Sequence, residues 1–201
     1  MDGIAWAVSA MSAAQTRLDV AAANLANAAT EGFRRSTLRG SLTASGVRLQ
    51  QVLDGAQGPL RQTGRPFDLA IAGRGTFRVR GPNGKTFSTR CGSFTRDRNG
   101  HLVDRAGRSL LGTSGPIVVP SGGGIEASGE VTGSGLKPNR IALPEGSTLR
   151  SGFAESSNVD SISEMIDILS AQRSFESAQK VVSAIDQTRE RGATQVATVH
   201  S

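Results

Sequence analysis

Residues 4–33, IAWAVSAMSAAQTRLDVAAANLANAATEGF, restrict what this chain can build more than any other stretch. Ile4, Val8, Met11, Leu18 and Leu25 recur at steps of four, three and seven, the period of a helix seam. Ala22 fills one gap and Gln15 breaks the stripe. Alanine is abundant, so helix propensity is high. Few of these side chains are large, however, and one helix with so thin a stripe cannot enclose a core. It requires partner helices, from this chain or from other copies. Asn27 marks the expected stop, with Thr30-Glu31-Gly32 supplying turn chemistry and Gly32 a left-handed end.

Such a partner pattern lies at the far end. Residues 156–187, SSNVDSISEMIDILSAQRSFESAQKVVSAIDQ, return to a helical period. Asp160 or Ser161 can cap this helix, and Glu164 has the capping-box spacing to Ser161. At 100° per residue its apolar side chains form two faces. Ile162, Met165, Ile166 and Leu169 share one; Ile168, Ala171, Phe175, Ala178, Val182 and Ile185 share the other. The second face is expected to pair with the N-terminal helix. The first then needs something else, either the root of the β segment or a neighbouring subunit.

Between these ends the period is two. Phe67-x-Leu69-x-Ile71 and Phe77-x-Val79 alternate, and Asn83-Gly84 and Asn99-Gly100 are hairpin turn signals. Leu110-Leu111, Ile117-Val118-Val119, Ile125 and Ile141-x-Leu143 follow, punctuated by Gly, Pro and Ser. The fold class expected is α+β: terminal α-helices pairing as a coiled-coil-like layer around a small central antiparallel all-β domain. The helical part spans 1–33 plus 151–201, a connector with one or two short extended pieces spans 34–59, and the β domain spans 60–150. The polar tail after Arg191-Gly192 is expected to fray.

Three parts of the sequence resemble the rod and hook family of the bacterial flagellum. At the N-terminus these are Leu18-Asp19-Val20, Asn24-Leu25-Ala26-Asn27 and Thr30-x-Gly32-Phe33-Arg34. In the middle, Thr63-Gly64-Arg65-Pro66-Phe67-Asp68-Leu69-Ala70-Ile71 is similar to a family element, with Phe67 in place of leucine. Gly73-x-Gly75-x-Phe77-x-Val79, Thr89-Arg90-x-Gly92-x-Phe94, Gly100-x-Leu102-Val103 and Gly115-Pro116-Ile117 continue it in order. At the C-terminus, Ser157-Asn158-Val159, Glu164-Met165 and Ala171-Gln172-Arg173-x-Phe175-Glu176 match. The segment between Ile141 and Gly152 is shorter than the family pattern.

The resemblance implies a structural subunit of the basal-body rod, closest to the proximal-rod type, and not an enzyme. Its implied partners are other copies, related rod subunits and the flagellar export apparatus, which takes such proteins without a cleaved signal. Its implied place is the periplasm-spanning rod. The expected interface of the helical layer is Val8, Met11, Leu18, Asn24, Leu25, Asn27 and Phe33, with Asn158, Val159, Met165, Leu169, Gln172, Arg173, Phe175, Val182 and Ile185. The β-domain motif is Gly64, Arg65, Pro66, Asp68, Leu69 and Ile71.

Charge leaves one alternative. Residues 34–149 carry net +10, whereas 1–33 and 150–201 carry −2 each. Arg74, Arg78, Arg80, Arg90, Arg96, Arg98, Arg105 and Arg108 crowd one stretch, so the β domain would also suit nucleic acid or an anionic envelope polymer. No recognition-helix pattern or aromatic stacking set accompanies them, and a solvated β surface or an acidic neighbouring subunit fits as well. Gly84-Lys85-Thr86 ends like a phosphate loop, but Val79 stands where the first glycine is required. His101 and His200 lie far apart, Cys91 is alone, and no cofactor or metal is expected. No apolar run reaches the length of a membrane span, and the N-terminus shows no basic segment followed by an apolar block.

Overall fold

The computed structural model describes residues 3–43, 46–133 and 139–199, with side chains as far as Arg191. The elements in chain order are α1 (Gly3–Ala26), β1 (Ser36–Thr43), β2 (Gly46–Leu53), β3 (Leu60–Gln62), β4 (Leu69–Ala72), β5 (Phe77–Arg80) and β6 (Thr86–Thr89). They continue with β7 (Thr95–Arg96), β8 (Leu102–Val103), β9 (Ser109–Leu111), β10 (Gly124–Ile125), β11 (Val131–Thr132), β12 (Thr148–Ser151), β13 (Phe153–Glu155) and α2 (Ser161–Val199). This is an α+β fold. Two compact units form: α1, the β1–β2 hairpin and α2 make one, and the 28–34 segment with residues 55–158 makes the other.

In the helical unit α1 and α2 run antiparallel. Gly3 lies beside Ile185, and Asn24 bonds to Glu164 at the opposite end. The buried positions of α1 are Ala7, Ala14, Ala21 and Asn24; those of α2 are Glu164, Ala171 and Ala178. Small residues at every seventh position let two helix backbones approach closely. The large stripe expected on α1 therefore lies beside this seam. Ile4, Met11, Leu18 and Leu25 are half-buried, and Val8 is 52% exposed.

The stretch expected as a connector holds β1 and β2, two eight-residue strands in continuous register from Ser36↔Leu53 to Thr43↔Gly46. An eight-residue strand spans about 26 Å, and the fifteen helical steps from Ser9 to Asn24 span about 22 Å. The hairpin accordingly runs along α1. At its base Asn24 holds Ser36; near its tip Ser9 Oγ accepts the Val47 N–H at 3.0 Å. Gly46 is required there, since a Cβ would sit 2.2 Å from Ser9 Oγ.

The β unit centres on a five-stranded antiparallel sheet of order β6-β5-β9-β8-β7, with smaller pairs β12–β4, β13–β3 and β10–β11. Alternation on β5 buries Phe77 and Val79 and exposes Arg78 and Arg80. Leu69, Ile71, Phe94, Leu102, Leu110, Ile117, Val119, Ile141 and Leu149 complete the core, and Phe77 meets Phe94 edge-on at 5.5 Å. Asn83-Gly84 and Asn99-Gly100 both sit in hairpin turns, with Gly84 and Gly100 at positive φ. Among the described residues Ile117, Val119 and Ile141 enter the core outside the ladders, flanked by single bridges such as His101↔Val118. Gly84-Lys85-Thr86 closes the β5–β6 hairpin and precedes no helix.

Candidate assembly surface

The helical unit carries a polar clasp and an apolar face. Asn24 is 1% exposed and fully used. Its amide donates to Ser36 O at 2.8 Å and to Glu164 Oε2 at 3.1 Å, and its oxygen accepts the Ser36 N–H at 2.9 Å. Glu164 takes Arg35 on its other oxygen, and Arg35 reaches Asp167 at 3.1 Å. The Glu164 hydrogen bond, with the charges of Glu164, Asp167 and Asp54 behind it, pushes the Arg35 guanidinium further toward its charged form. A buried charge is tolerable only when paired in this way. The clasp thus joins α1, β1 and α2 of one chain.

The expected capping box does not form, because Glu164 is spent in the clasp. Of the two expected caps Asp160 is the one that forms, accepting the Ile162 N–H and the Ser163 hydroxyl. Hydrogen bonds from Ser163 and then Ile162 hold the Asp160 carboxyl below its ordinary range.

The two faces of α2 separate as the spacing predicts. Ala171 and Ala178 are buried, with Ile168, Phe175, Val182 and Ile185 half-buried around them. Opposite them Ile162, Met165, Ile166 and Leu169 are 70%, 52%, 61% and 55% exposed. The helix is continuous through Ser170, so no break turns this face toward α1. Gln172 and Arg173 are exposed beside it.

The remaining expected interface residues divide among several roles. Leu18, Leu25 and Asn27 are half-buried on and just after α1, where the Asn27 side chain bonds back to Ala23 O. Asn158 reaches Ala56 O at 3.0 Å, and Val159 is half-buried. Phe33, half-buried, belongs to the β unit, where its N–H closes a turn onto Thr30 O. Gly32 does not end a helix. At φ 69° it lies on the Arg90–Cys91 backbone, where a Cβ would meet Cys91 N at 2.2 Å, and its N–H bonds to Glu155 O.

The β-unit motif is a local scaffold. Gly64 has positive φ, Arg65 pairs with buried Asp68 at 2.7 Å, and Leu69 and Ile71 enter the core on β4. Pro66 precedes β4 and is exposed. The arginines do not act as one surface. Arg90 is buried, paired with Glu155 at 2.7 Å and bonded to the carbonyls of Ile71, Gly73 and Gly75. Arg96 holds Val119 O, and Arg108 holds Asp104 and lies over Phe87. Asp97 and Asp104 fold their own turns by accepting backbone N–H groups two and four residues on. Among the described residues no three His, Cys, Asp or Glu side chains converge as metal ligands do, and no helix is long and apolar enough to cross a membrane.

Comparison with known proteins places these features in a family. Residues 4–34 match a model described as flagella basal body rod protein. Residues 70–148 match the flagellar hook protein FlgE/F/G D1 domain, and 150–196 the flagellar basal body rod FlgEFG protein C-terminal. The flagellar basal-body rod protein FlgF of Mesorhizobium japonicum is 33% identical over 218 residues, covering 87% of this chain and 89% of that protein. The chain belongs to the flagellar rod and hook family. FlgG, a basal-body rod protein of Agrobacterium fabrum, is 26% identical over 255 residues, covering 93% of this chain and 96% of that protein. The flagellar hook protein FlgE of Brucella abortus is 42% identical over 156 residues, yet the match covers only 37% of its length. The chain thus spans little more than a third of such hook proteins. None of these families or relatives is described as binding nucleic acid.

Sequence reasoning missed the clasp and the Arg90–Glu155 pair. The clasp joins residues 12 and 140 positions apart, and Arg90 and Glu155 are 65 apart. The one available signal was polarity at an apolar register: Asn24 and Glu164 each fall on the inward face of a helix.

Proposed function

We propose that this chain is a structural subunit of the flagellar basal-body rod. It polymerises through its terminal helices with other copies and with related rod subunits, after delivery by the flagellar export apparatus. One observation carries the reading: the face of α2 opposite α1 is apolar, with Ile162, Met165, Ile166 and Leu169 each more than half exposed. A contiguous apolar face of this kind marks an interaction surface. The helices pair within the chain on one side and offer the other to a neighbour as a coiled-coil-like layer. Whole-length similarity to rod proteins, against a one-third match to hook proteins, favours the rod type. The subunit stands in the periplasm-spanning part of the flagellum and performs no catalysis.

Leu169→Asp tests this. It adds a charge to a surface residue, so the melting of the monomer is expected to change by less than about 0.5 kcal/mol. A strain whose only copy carries it is expected to lose rod assembly and motility, because the charge is buried in the subunit contact. Normal rods built from the Leu169→Asp protein would refute the assignment. Phe175→Asp is the contrast, since Phe175 is half-buried toward α1 and its loss is expected to loosen the helix pair itself.

A further inference from the structure

The β6 strand is an open sheet edge with the chemistry of a docking site. Its residues Thr86-Phe87-Ser88-Thr89 carry no charge and no proline, the devices that usually blunt an edge. Thr86, Phe87 and Ser88 are exposed. The ladder fixes which backbone groups are free. Gly81 N donates to Lys85 O at 2.9 Å, so the alternate pairs Val79↔Phe87 and Phe77↔Thr89 are the hydrogen-bonded ones. Thr86 and Ser88, opposite Arg80 and Arg78, therefore point their N–H and C=O groups away from the sheet.

The side chains around this edge divide by face. Thr86 and Ser88 share the outer face with Arg80 and Arg78. Both guanidiniums are exposed, and among the described residues neither has an ion pair or hydrogen bond. Their two-residue separation is about 6.7 Å, the repeat of like-facing side chains on any extended chain. The short hydroxyl side chains between them and the edge leave room for both to lean outward. On the other face Phe87 is 42% exposed beneath Arg108, whose Cζ lies 5.6 Å from the ring centre.

We propose that β6 accepts an extended segment of another protein as an added strand, with acidic side chains at two alternate positions and an apolar one between. The outward N–H and C=O groups of Thr86 and Ser88 pair with its backbone. Arg78 and Arg80 pair with its carboxylates, and Phe87 covers the apolar residue. This is strand addition, in which backbone bonds give affinity and alternate side chains give selectivity. This chain contains no acid-apolar-acid triplet, so the segment belongs to a different protein rather than a second copy. The inference is independent of the rod assignment.

The probe is a fluorescein-labelled peptide, Ser-Val-Glu-Val-Glu-Val-Ser, titrated against the full chain at low salt. Saturable binding with Kd below about 1 mM is expected, weakening as salt rises. Arg78→Glu with Arg80→Glu is expected to weaken it at least about tenfold. Ser88→Pro removes one outward N–H at a position where an edge strand tolerates proline, and is expected to do the same. Protected amides at Val79 and Leu110 certify that each variant is folded. Where Ser88→Pro disturbs the sheet, the peptide N-methylated at both Glu residues takes its place, with the same loss expected. No saturable binding, or binding that ignores the arginine changes, overturns the proposal. Binding that depends on the arginines but ignores Ser88→Pro and N-methylation also overturns it, indicating a surface for anionic polymers without strand pairing.

Discussion

Replacing Arg90 by Met tests what holds the β unit closed. Arg90 and Glu155 are each 2% exposed on their side chains and 2.7 Å apart. Arg90 also reaches the carbonyls of Ile71, Gly73 and Gly75, while Glu155 receives the Gly58 N–H at 3.3 Å. Their backbone neighbours bind the start of the unit to its end: Gly32 lies on Arg90–Cys91 and donates to Glu155 O. Methionine fills most of the arginine volume, so the cavity cost is small. What remains is a buried carboxylate without its cation, a loss of about 3–5 kcal/mol. Each 1.4 kcal/mol is a factor of about ten in an opening equilibrium. Amide exchange at Val79 and Leu110 in Arg90→Met is therefore expected to accelerate by roughly two to three and a half orders of magnitude. The double variant Arg90→Met with Glu155→Leu removes both charges and is expected to cost less than the two single changes summed, by about 2 kcal/mol or more. Acceleration below about tenfold in Arg90→Met, or strict additivity in the double variant, would refute this account of the pair.

Three further outcomes follow from the clasp, the Gly32 turn and the α2 cap. Asn24→Ala leaves the buried N–H and C=O of Ser36 unpaired, along with one Glu164 oxygen, and is expected to cost about 3 kcal/mol in urea unfolding of the helical unit. Gly32→Ala demands a left-handed alanine with its Cβ 2.2 Å from Cys91 N, so a loss of at least about 2 kcal/mol is expected in the thermal melt. Asp160 has a folded-state pKa below its unfolded one, so its contribution is complete above the unfolded value of about 3.9 and is lost as pH falls through the lower folded value. The protection of the Ile162 and Ser163 amides, relative to their intrinsic exchange at each pH, is expected to stay constant down to about pH 4 and then fall, whereas Asp160→Asn, which still caps, removes the fall.

Local spacing encodes some of these contacts and not others. The β5–β6 turn was legible because Asn83-Gly84 supplies the backbone freedom a tight hairpin needs, and alternation on Phe77-Arg78-Val79-Arg80 fixed which side chains are inside. The two faces of α2 were legible for the same reason, at helical period. On α1 the same logic pointed to the largest side chains, yet the seam formed on Ala7, Ala14 and Ala21. Apolar area argues for Met11 and Leu18, but close approach of two backbones argues for alanine, and periodicity alone does not rank the two. The β1–β2 hairpin escaped because no Asn-Gly pair marks its turn, although Leu38-x-Gly40-x-Leu42 and Val47-x-Leu49 do alternate.

Position on a helix face decides which α2 side chains can reach α1. Relative to Glu164, which points at Asn24 of α1, residues Ala171, Phe175 and Val182 fall within about 20°, while Met165, Leu169 and Ile162 fall about 100–160° away. A side chain at that angle cannot reach α1 by changing rotamer, because the helix backbone stands between. The β1–β2 hairpin is tied to α1 at Asn24 and Ser9, and Arg35, just before β1, pairs with Glu164 and Asp167 of α2. The hairpin therefore leaves Met165 and Leu169 exposed. Each exposed Ile, Leu or Met forgoes roughly 1.5–3 kcal/mol that full burial would return. Four of them on successive turns give association a driving force that the folded subunit leaves unused.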